Sequence, residues 1–381
     1  MRISRRNFVR QMTVGAAVSA TPWHLDELSQ AASHRRASSR RPGELIRLDM
    51  NINPYGPSPK VAEAVRENLD LVKWYPDGEY GPLVEHLAEF HRVNSNQVTL
   101  GSGSREVLRM AVAAFLARGR TLVLASPTYE PMANLAKQVR AEVIAVPINK
   151  RFAHDLEAML HRTNTSTGMV YICNPNNPTG SLTPRKDLEA FLEKLPQKVA
   201  VVIDEAYHEY VGPTPDYASF IDHLLEDERV IVVRTFSKIY GLAGLRLGYA
   251  VSSKEVSLKL SLTQLERGVN ILATRAAAAA LNDSDYVRLS SRRNKDERQE
   301  FYNQTNARML RQIDSHTNFV FTKIGLPSSQ VIEHFERNNI TLGPIIPQMD
   351  KYVRVAISTE ENMKEFWRVW DLLPSMSHEM D

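Results

Sequence analysis

A single cysteine in 381 residues leaves the chain without any intrachain disulfide. Cys173 ends the apolar run Met169-Val170-Tyr171-Ile172-Cys173, where a thiol reads as core rather than as a nucleophile. Long hydrophobic runs are missing too. Nothing approaches the roughly 20 apolar residues of a membrane-spanning helix, so no stable membrane insertion is expected. Charge of one sign is scarce once its location is considered: residues 1–41 hold eight arginines against Asp26 and Glu27, which turns a net +3 into about −3 for residues 42–381. A body so balanced offers nucleic acid no electrostatic footprint. Internal repeats are absent, and biased composition is confined to the first 41 residues. What remains is the composition of a globular protein, 43% hydrophobic and 24% charged, at a length that suggests one large domain and a smaller one.

The basic leader has its own logic. Ser4-Arg5-Arg6-Asn7-Phe8-Val9-Arg10 resembles the twin-arginine export signal; a short Ala/Gly/Val segment from Met12 to Ala20 follows, with Val18-Ser19-Ala20 as a small-residue cleavage site. This implies an exported, periplasmic protein. The alternative is a disordered basic arm on a cytoplasmic one. Either way, residues 1–40 stand apart from the fold.

From Leu45 onward strand-like apolar runs alternate with amphipathic segments, the pattern of an α/β domain with a mostly parallel sheet flanked by helices. The expected strands are Val98–Leu100, Thr121–Leu124, Val143–Val146, Met169–Cys173, Val199–Ile203, Val230–Val233 and Gly248–Val251. One helix should run from Pro59 to Leu69; another should start at Thr183 as N-cap with Pro184 in the first helical position. A polar helical stretch over Tyr286–Met309 leads to a smaller α+β unit: strand Asn318–Thr322, helix Ser328–Asn338, strand Tyr352–Ala356 and a last helix opened by Ser358-Thr359-Glu360-Glu361. The expected division is a leader over 1–40, an arm and part of the small domain over 41–71, the large domain over 72–272 and the small domain over 273–381.

In an open α/β sheet, ligands bind where loops leave the carboxyl ends of the strands. The unusual residues fall there. Gly101-Ser102-Gly103-Ser104 opens a helix, and its amides and hydroxyls suit a phosphate, though alone such a turn is only a turn. Asn174-Pro175-Asn176-Asn177-Pro178-Thr179-Gly180 follows a strand, and its prolines fix a backbone that can aim Asn177. Asp204 ends an apolar strand, where a carboxylate is costly unless paired; a protonated pyridine nitrogen is a suitable partner, and Tyr207 could donate to the same ring's phenolic oxygen. A helix-capping aspartate is the plain alternative. Lys238, in Thr235-Phe236-Ser237-Lys238 with Arg246 eight residues on, sits among apolar residues that depress an amine pKa, as a lysine condensing with a carbonyl requires. The set can hold and use an aldehyde cofactor. No metal is expected.

Together these motifs, with Asn51-Ile52-Asn53-Pro54-Tyr55-Gly56-Pro57, Tyr75-Pro76-Asp77, Pro127-Thr128-Tyr129 and Tyr352-Val353-Arg354, resemble the fold type I aminotransferases dependent on pyridoxal 5′-phosphate (PLP), class I/II, most of all the histidinol-phosphate aminotransferase family. The resemblance covers residues 44–373. It implies that Lys238 carries the cofactor aldehyde, that Asp204 pairs with the pyridine nitrogen, that Asn177 and Tyr207 bond the ring oxygen, and that Tyr129 stacks on the ring. Ser102, Gly103, Ser104, Thr235, Ser237 and Arg246 would hold the phosphate. Tyr75 would reach the cofactor phosphate of a neighbouring subunit, making a homodimer. Arg354 would clamp the substrate carboxylate, with Tyr55 and Asn53 beside the substrate.

The implied activity is ping-pong transfer of an amino group from an amino acid to a 2-oxo acid. Two departures bear on the substrate. Where the family carries a second arginine that binds a substrate phosphate, this chain has Gly343, so an unphosphorylated substrate is expected; and a Pro-aromatic-Asn-Val-Asn stretch becomes Arg267-Gly268-Val269-Asn270. Arg267 is either a pocket residue or a surface helix residue. A PLP-dependent oxidase, lyase or decarboxylase would share Lys238 and Asp204. A ligand-sensing module fused to a transcription regulator is disfavoured, because residues 1–41 are too short for a DNA-binding domain.

Overall fold

The computed structural model describes residues 44–116, 119–222 and 227–373; the leader expected over 1–40 lies outside them. Among the described residues, strands β1 (Ile46–Arg47) to β12 (Tyr352–Ala356) form three sheets. The largest contains β2 (Val98–Gly101), β3 (Thr121–Ser126), β4 (Glu142–Pro147), β5 (Thr167–Cys173), β6 (Ala200–Asp204), β7 (Val230–Thr235) and β8 (Gly248–Ser252), in the spatial order β2-β8-β7-β6-β5-β3-β4. β5, β6 and β7 are buried at every position, as the centre of a sheet covered on both faces requires. Two apolar cores flank the sheet, one around Val170, Ile172, Val201 and Ile203, the other around Met169, Tyr171, Val202 and Ile231.

The sheet is parallel except at β8, which runs antiparallel to both β7 and β2. A parallel return needs a crossover of a dozen or more residues, usually helical. Between Thr235 and Gly248 there is only the short turn Ala243–Leu245, so β8 doubles straight back. That link contains Lys238.

The smaller unit is built on antiparallel β9 (Arg311–Gln312), β10 (Phe319–Lys323) and β12, with helices Ser328–Arg337 and Glu360–Trp370. Phe335 stacks on Phe366 at 4.8 Å, and Trp367 and Trp370 close the same core. β1 pairs in parallel with β11 (Ile340–Thr341), so Ile46 and Leu48 join this core although hundreds of residues separate them from it in sequence. Helix Ile271–Leu281, which the sequence division assigns to the small domain, packs Ala273, Ala276 and Ala277 on the large core together with Val61.

One helix start and one helix end differ from expectation. Thr183 does not cap its helix, because its hydroxyl is engaged by His154 Nδ1 at 2.6 Å; Pro184 stays extended and the helix begins at Arg185. The helix from Pro59 ends at Glu67, where Asn68 leads into a tighter turn over Leu69–Lys73. The last helix is capped by Thr359, which accepts from the amide of Asn362.

Candidate active site

The pairing register assembles the phosphate-binding candidates. Gly101 on β2 lies opposite Gly248 on β8, which lies opposite Thr235 on β7. The amino end of helix Ser104–Phe115 therefore rests on β8, so closely that a Cβ on Gly248 would collide with the Ser104 amide. Gly103 has φ +77°, and a side chain there would run into the Arg246 guanidinium. Arg246 donates to Ser237 Oγ (3.3 Å) and to the Ala243 carbonyl (3.0 Å), while Thr235 Oγ1 accepts from the Ser237 amide. A helix amino terminus, an arginine bonded among the described residues to neutral oxygens, and three hydroxyl residues thus share one corner. Ser102 turns its amide towards the Glu106 carboxylate.

Lys238 lies beyond this corner. Its Nζ donates to the carbonyls of Met50 (3.2 Å) and Asn51 (3.0 Å) and sits 5.5 Å from the centre of the Tyr207 ring. Burial pushes its pKa down to about 7; Arg354 pushes the same way and Asp204 opposes.

Asp204 is buried at the end of β6. Its Oδ2 accepts from Tyr171 Oη at 2.8 Å and its Oδ1 from the Ala206 amide at 3.1 Å. Burial raises its pKa to about 6, with the Tyr171 hydrogen bond pulling down. A buried cation placed before it would return it to the ionised state. The next residue, Glu205, is held by Arg234 Nε at 2.9 Å, which fixes the turn that carries Asp204 and Tyr207.

Of the three asparagines in the Asn174–Gly180 loop, two serve the loop itself. Asn174 exchanges hydrogen bonds with the backbone of Thr183, and Asn176 reaches the Pro127 carbonyl and Thr128 hydroxyl beside Tyr129. Asn177 faces the site: its Oδ1 accepts from Arg354 Nη1 at 2.7 Å and its Nδ2 donates to Tyr207 Oη at 3.4 Å. Arg354, buried on β12, also donates to the Asp49 carbonyl, and its Nε has no partner. Desolvation lowers its pKa, and among the described residues it forms no salt bridge.

Three expected site residues make their contacts elsewhere. Asn53 spends its Nδ2 on the Ile239 carbonyl (2.8 Å) and its Oδ1 on the Tyr55 amide, tying the segment to the Lys238 loop. The Tyr55 ring lies under the Arg293 guanidinium at 4.6 Å. Tyr75 is 72% exposed, with Arg267 over its ring at 4.7 Å; Arg267 is in neither a helix nor this site but is bridged to Asp77 through Nε and Nη2. Sequence reasoning missed Tyr171 and Asn51, which only strand register and the fold of the N-terminal segment bring to Asp204 and Tyr207.

The model of the aminotransferase class I and II family matches residues 43–369. The chain belongs to that family. It is 37% identical over 337 residues to a histidinol-phosphate aminotransferase of Geobacillus thermodenitrificans, covering 88% of this chain and 91% of that one, and 39% identical over 290 residues to one from Brevibacillus brevis, covering 76% and 79%. Among solved structures, a putative histidinol-phosphate aminotransferase from Erwinia carotovora superposes with TM-score 0.81 at 30% identity, covering 86% and 94%; one from Sinorhizobium meliloti, in complex with pyridoxal-5′-phosphate, superposes with TM-score 0.80 at 25% identity, covering 95% and 98%. The protein is an aminotransferase of PLP fold type I, and PLP is its cofactor. The residues present fit that group, with a depressed amine at Lys238, a buried carboxyl at Asp204 that forms no salt bridge among the described residues, and a phosphate corner whose Gly103 admits no side chain. Among the described residues, no helix is long and apolar enough to cross a membrane, and no cluster of three or more His, Cys, Asp or Glu could hold a metal.

Proposed function

We propose that this aminotransferase moves the amino group of an α-amino acid with an unphosphorylated side chain to a 2-oxo acid, in two half-reactions at one site. The observation that carries this reading is Arg354, a buried guanidinium that among the described residues has no salt bridge and no partner for its Nε. A buried cation so placed is stabilised by a ligand carboxylate, which it can grip through two parallel hydrogen bonds. PLP supplies an aldehyde for amines and a ring that takes up electrons. Lys238 Nζ, with a pKa of about 7, would take the substrate's α-proton and hold it for return. Asp204 would supply negative charge to the ring nitrogen, and Tyr207 and Asn177 would hold the ring oxygen.

Gly343 supports the absence of a substrate phosphate. The position where the resemblance places a phosphate-binding arginine offers no cation here, and a Cβ on Gly343 would lie 2.8 Å from Arg354 Cβ and 2.9 Å from its Nε. A second reading, a substrate carrying phosphate, is favoured by relatives named histidinol-phosphate aminotransferases. A panel of amino acids that includes histidinol phosphate, incubated with 2-oxoglutarate and followed by product mass, decides between them. Glutamate formation from an unphosphorylated donor supports the first reading, and turnover of histidinol phosphate alone supports the second. Oxygen uptake with ammonia release would point to oxidase chemistry instead.

We also infer a homodimer in which Tyr75 completes the partner's phosphate corner. The segment around it exposes Val72, Trp74 and Tyr75, and such a run of large apolar side chains is characteristic of an interface. Export through the leader is proposed on Arg5 and Arg6; changing both to lysine should retain the protein in the cytoplasm, and unchanged localisation would leave the basic-arm alternative.

A further inference from the structure

The segment that precedes Asn53 contains the most unusual backbone of the site. Asn51 is buried, and its φ of +51° is left-handed, a conformation that asparagine tolerates better than most residues. That backbone lets one residue reach two others. Its carbonyl accepts from Lys238 Nζ at 3.0 Å, and its Nδ2 donates to Tyr207 Oη at 3.2 Å. Asn318 Nδ2 donates to the same carbonyl at 3.0 Å and holds it in place.

We propose that Asn51 is a positioning residue that sets the direction of the Tyr207 hydroxyl. A phenol oxygen accepts two hydrogen bonds and donates one. Asn177 must present Nδ2 to Tyr207, because its Oδ1 is taken by Arg354. With Asn51 donating from the other side, both acceptor positions of Tyr207 are filled by N–H groups. The one hydrogen of Tyr207 is then left to donate to the ring oxygen of the cofactor. The carbonyls of Met50 and Asn51 give the Lys238 amine a place to rest when it is not bonded to the cofactor.

This rests on Tyr207 facing the ring oxygen, and the test separates the two claims. A donor at that oxygen favours its ionised form, so the pH midpoint of the visible absorbance of the bound cofactor reports it. Asn51→Gly removes the side chain while tolerating the positive φ, and Asn51→Asp keeps the shape but offers only acceptors. Tyr207→Phe should raise the midpoint, Asn51→Gly should raise it by several tenths of a pH unit or more, and Asn51→Asp should raise it further. In the Tyr207→Phe background, Asn51→Gly should add nothing, since the effect passes through the phenol. An unshifted midpoint in Tyr207→Phe would overturn the placement of Tyr207. A shift in Tyr207→Phe with none in Asn51→Gly, or equal and additive shifts, would overturn the role of Asn51. If Asn51→Gly loses cofactor altogether, Asn51→Asp read by the same titration decides.

Discussion

Tyr171 Oη stands 2.8 Å from Asp204 Oδ2, on neighbouring parallel strands whose register sets Cys173 beside Asp204. The phenol is fully buried and donates to the carboxylate, so it supports the ionised form and works against the burial that raises the Asp204 pKa to about 6. Tyr171→Phe should therefore raise that pKa and move the acid limb of the kcat profile upward by several tenths of a pH unit. An unmoved acid limb would show that the tyrosine is only packing.

Lys238 bears on stability as well as chemistry. Its amine binds a proton up to pH 10.5 in the unfolded chain but only to about 7 in the fold, so between those values the unfolded state holds more protons and apoprotein stability rises with pH. Each unit of depression corresponds to about 1.4 kcal/mol. Lys238→Met apoprotein should melt above the parent at pH 6 to 7, with the advantage shrinking towards pH 10. Lys238→Ala should also lose the cofactor's visible absorbance, as spectra of the loaded protein will show.

Arg354→Ala should cost about 2–5 kcal/mol in kcat/KM for every carboxylate substrate, roughly one and a half to three and a half orders of magnitude, with KM carrying much of the change. Arg354→Lys should recover little, because an ammonium cannot reproduce the planar fork. Steady-state kinetics over a range of 2-oxo acids measures both.

Gly343→Ala places a methyl group against Arg354 and its carbonyl. We expect KM for the amino donor to rise several-fold with PLP affinity unchanged, read by kinetics alongside a cofactor titration.

Mixing two defective variants tests the role of Tyr75 in the partner. Heterodimers of Tyr75→Ala with Lys238→Ala should regain activity above either parent if Tyr75 serves the neighbouring site. No gain on mixing would place Tyr75 in its own subunit.

Much of this arrangement was legible in the sequence because strand ends can be read from apolar runs. Asp204, Lys238 and Asn177 each follow such a run, and the fold brings all three to one edge of the sheet. Residues whose position depends on pairing register were not legible. Tyr171 looks like one more core residue of β5, and Gly248 like an ordinary strand start, until β6 and the helix from Ser104 are set beside them. The antiparallel return of β8 followed from the length of its link, which could have been counted. Asn51 and Asn53 lie in one motif, and only the left-handed turn at Asn51 decides which side chain faces Tyr207.

The pairing of β1 with β11 has a consequence for how the enzyme comes into being. The stretch from Ile46 to Gly56 leaves the ribosome early, yet its partners include Ile340 and Arg354, which leave near the end. The carbonyls that receive Lys238 and Arg354 therefore gain their full set of partners only near the end of synthesis. This early stretch must wait for its last partners, so a chain halted before residue 340 lacks the strand pairing and the arginine that complete its placement.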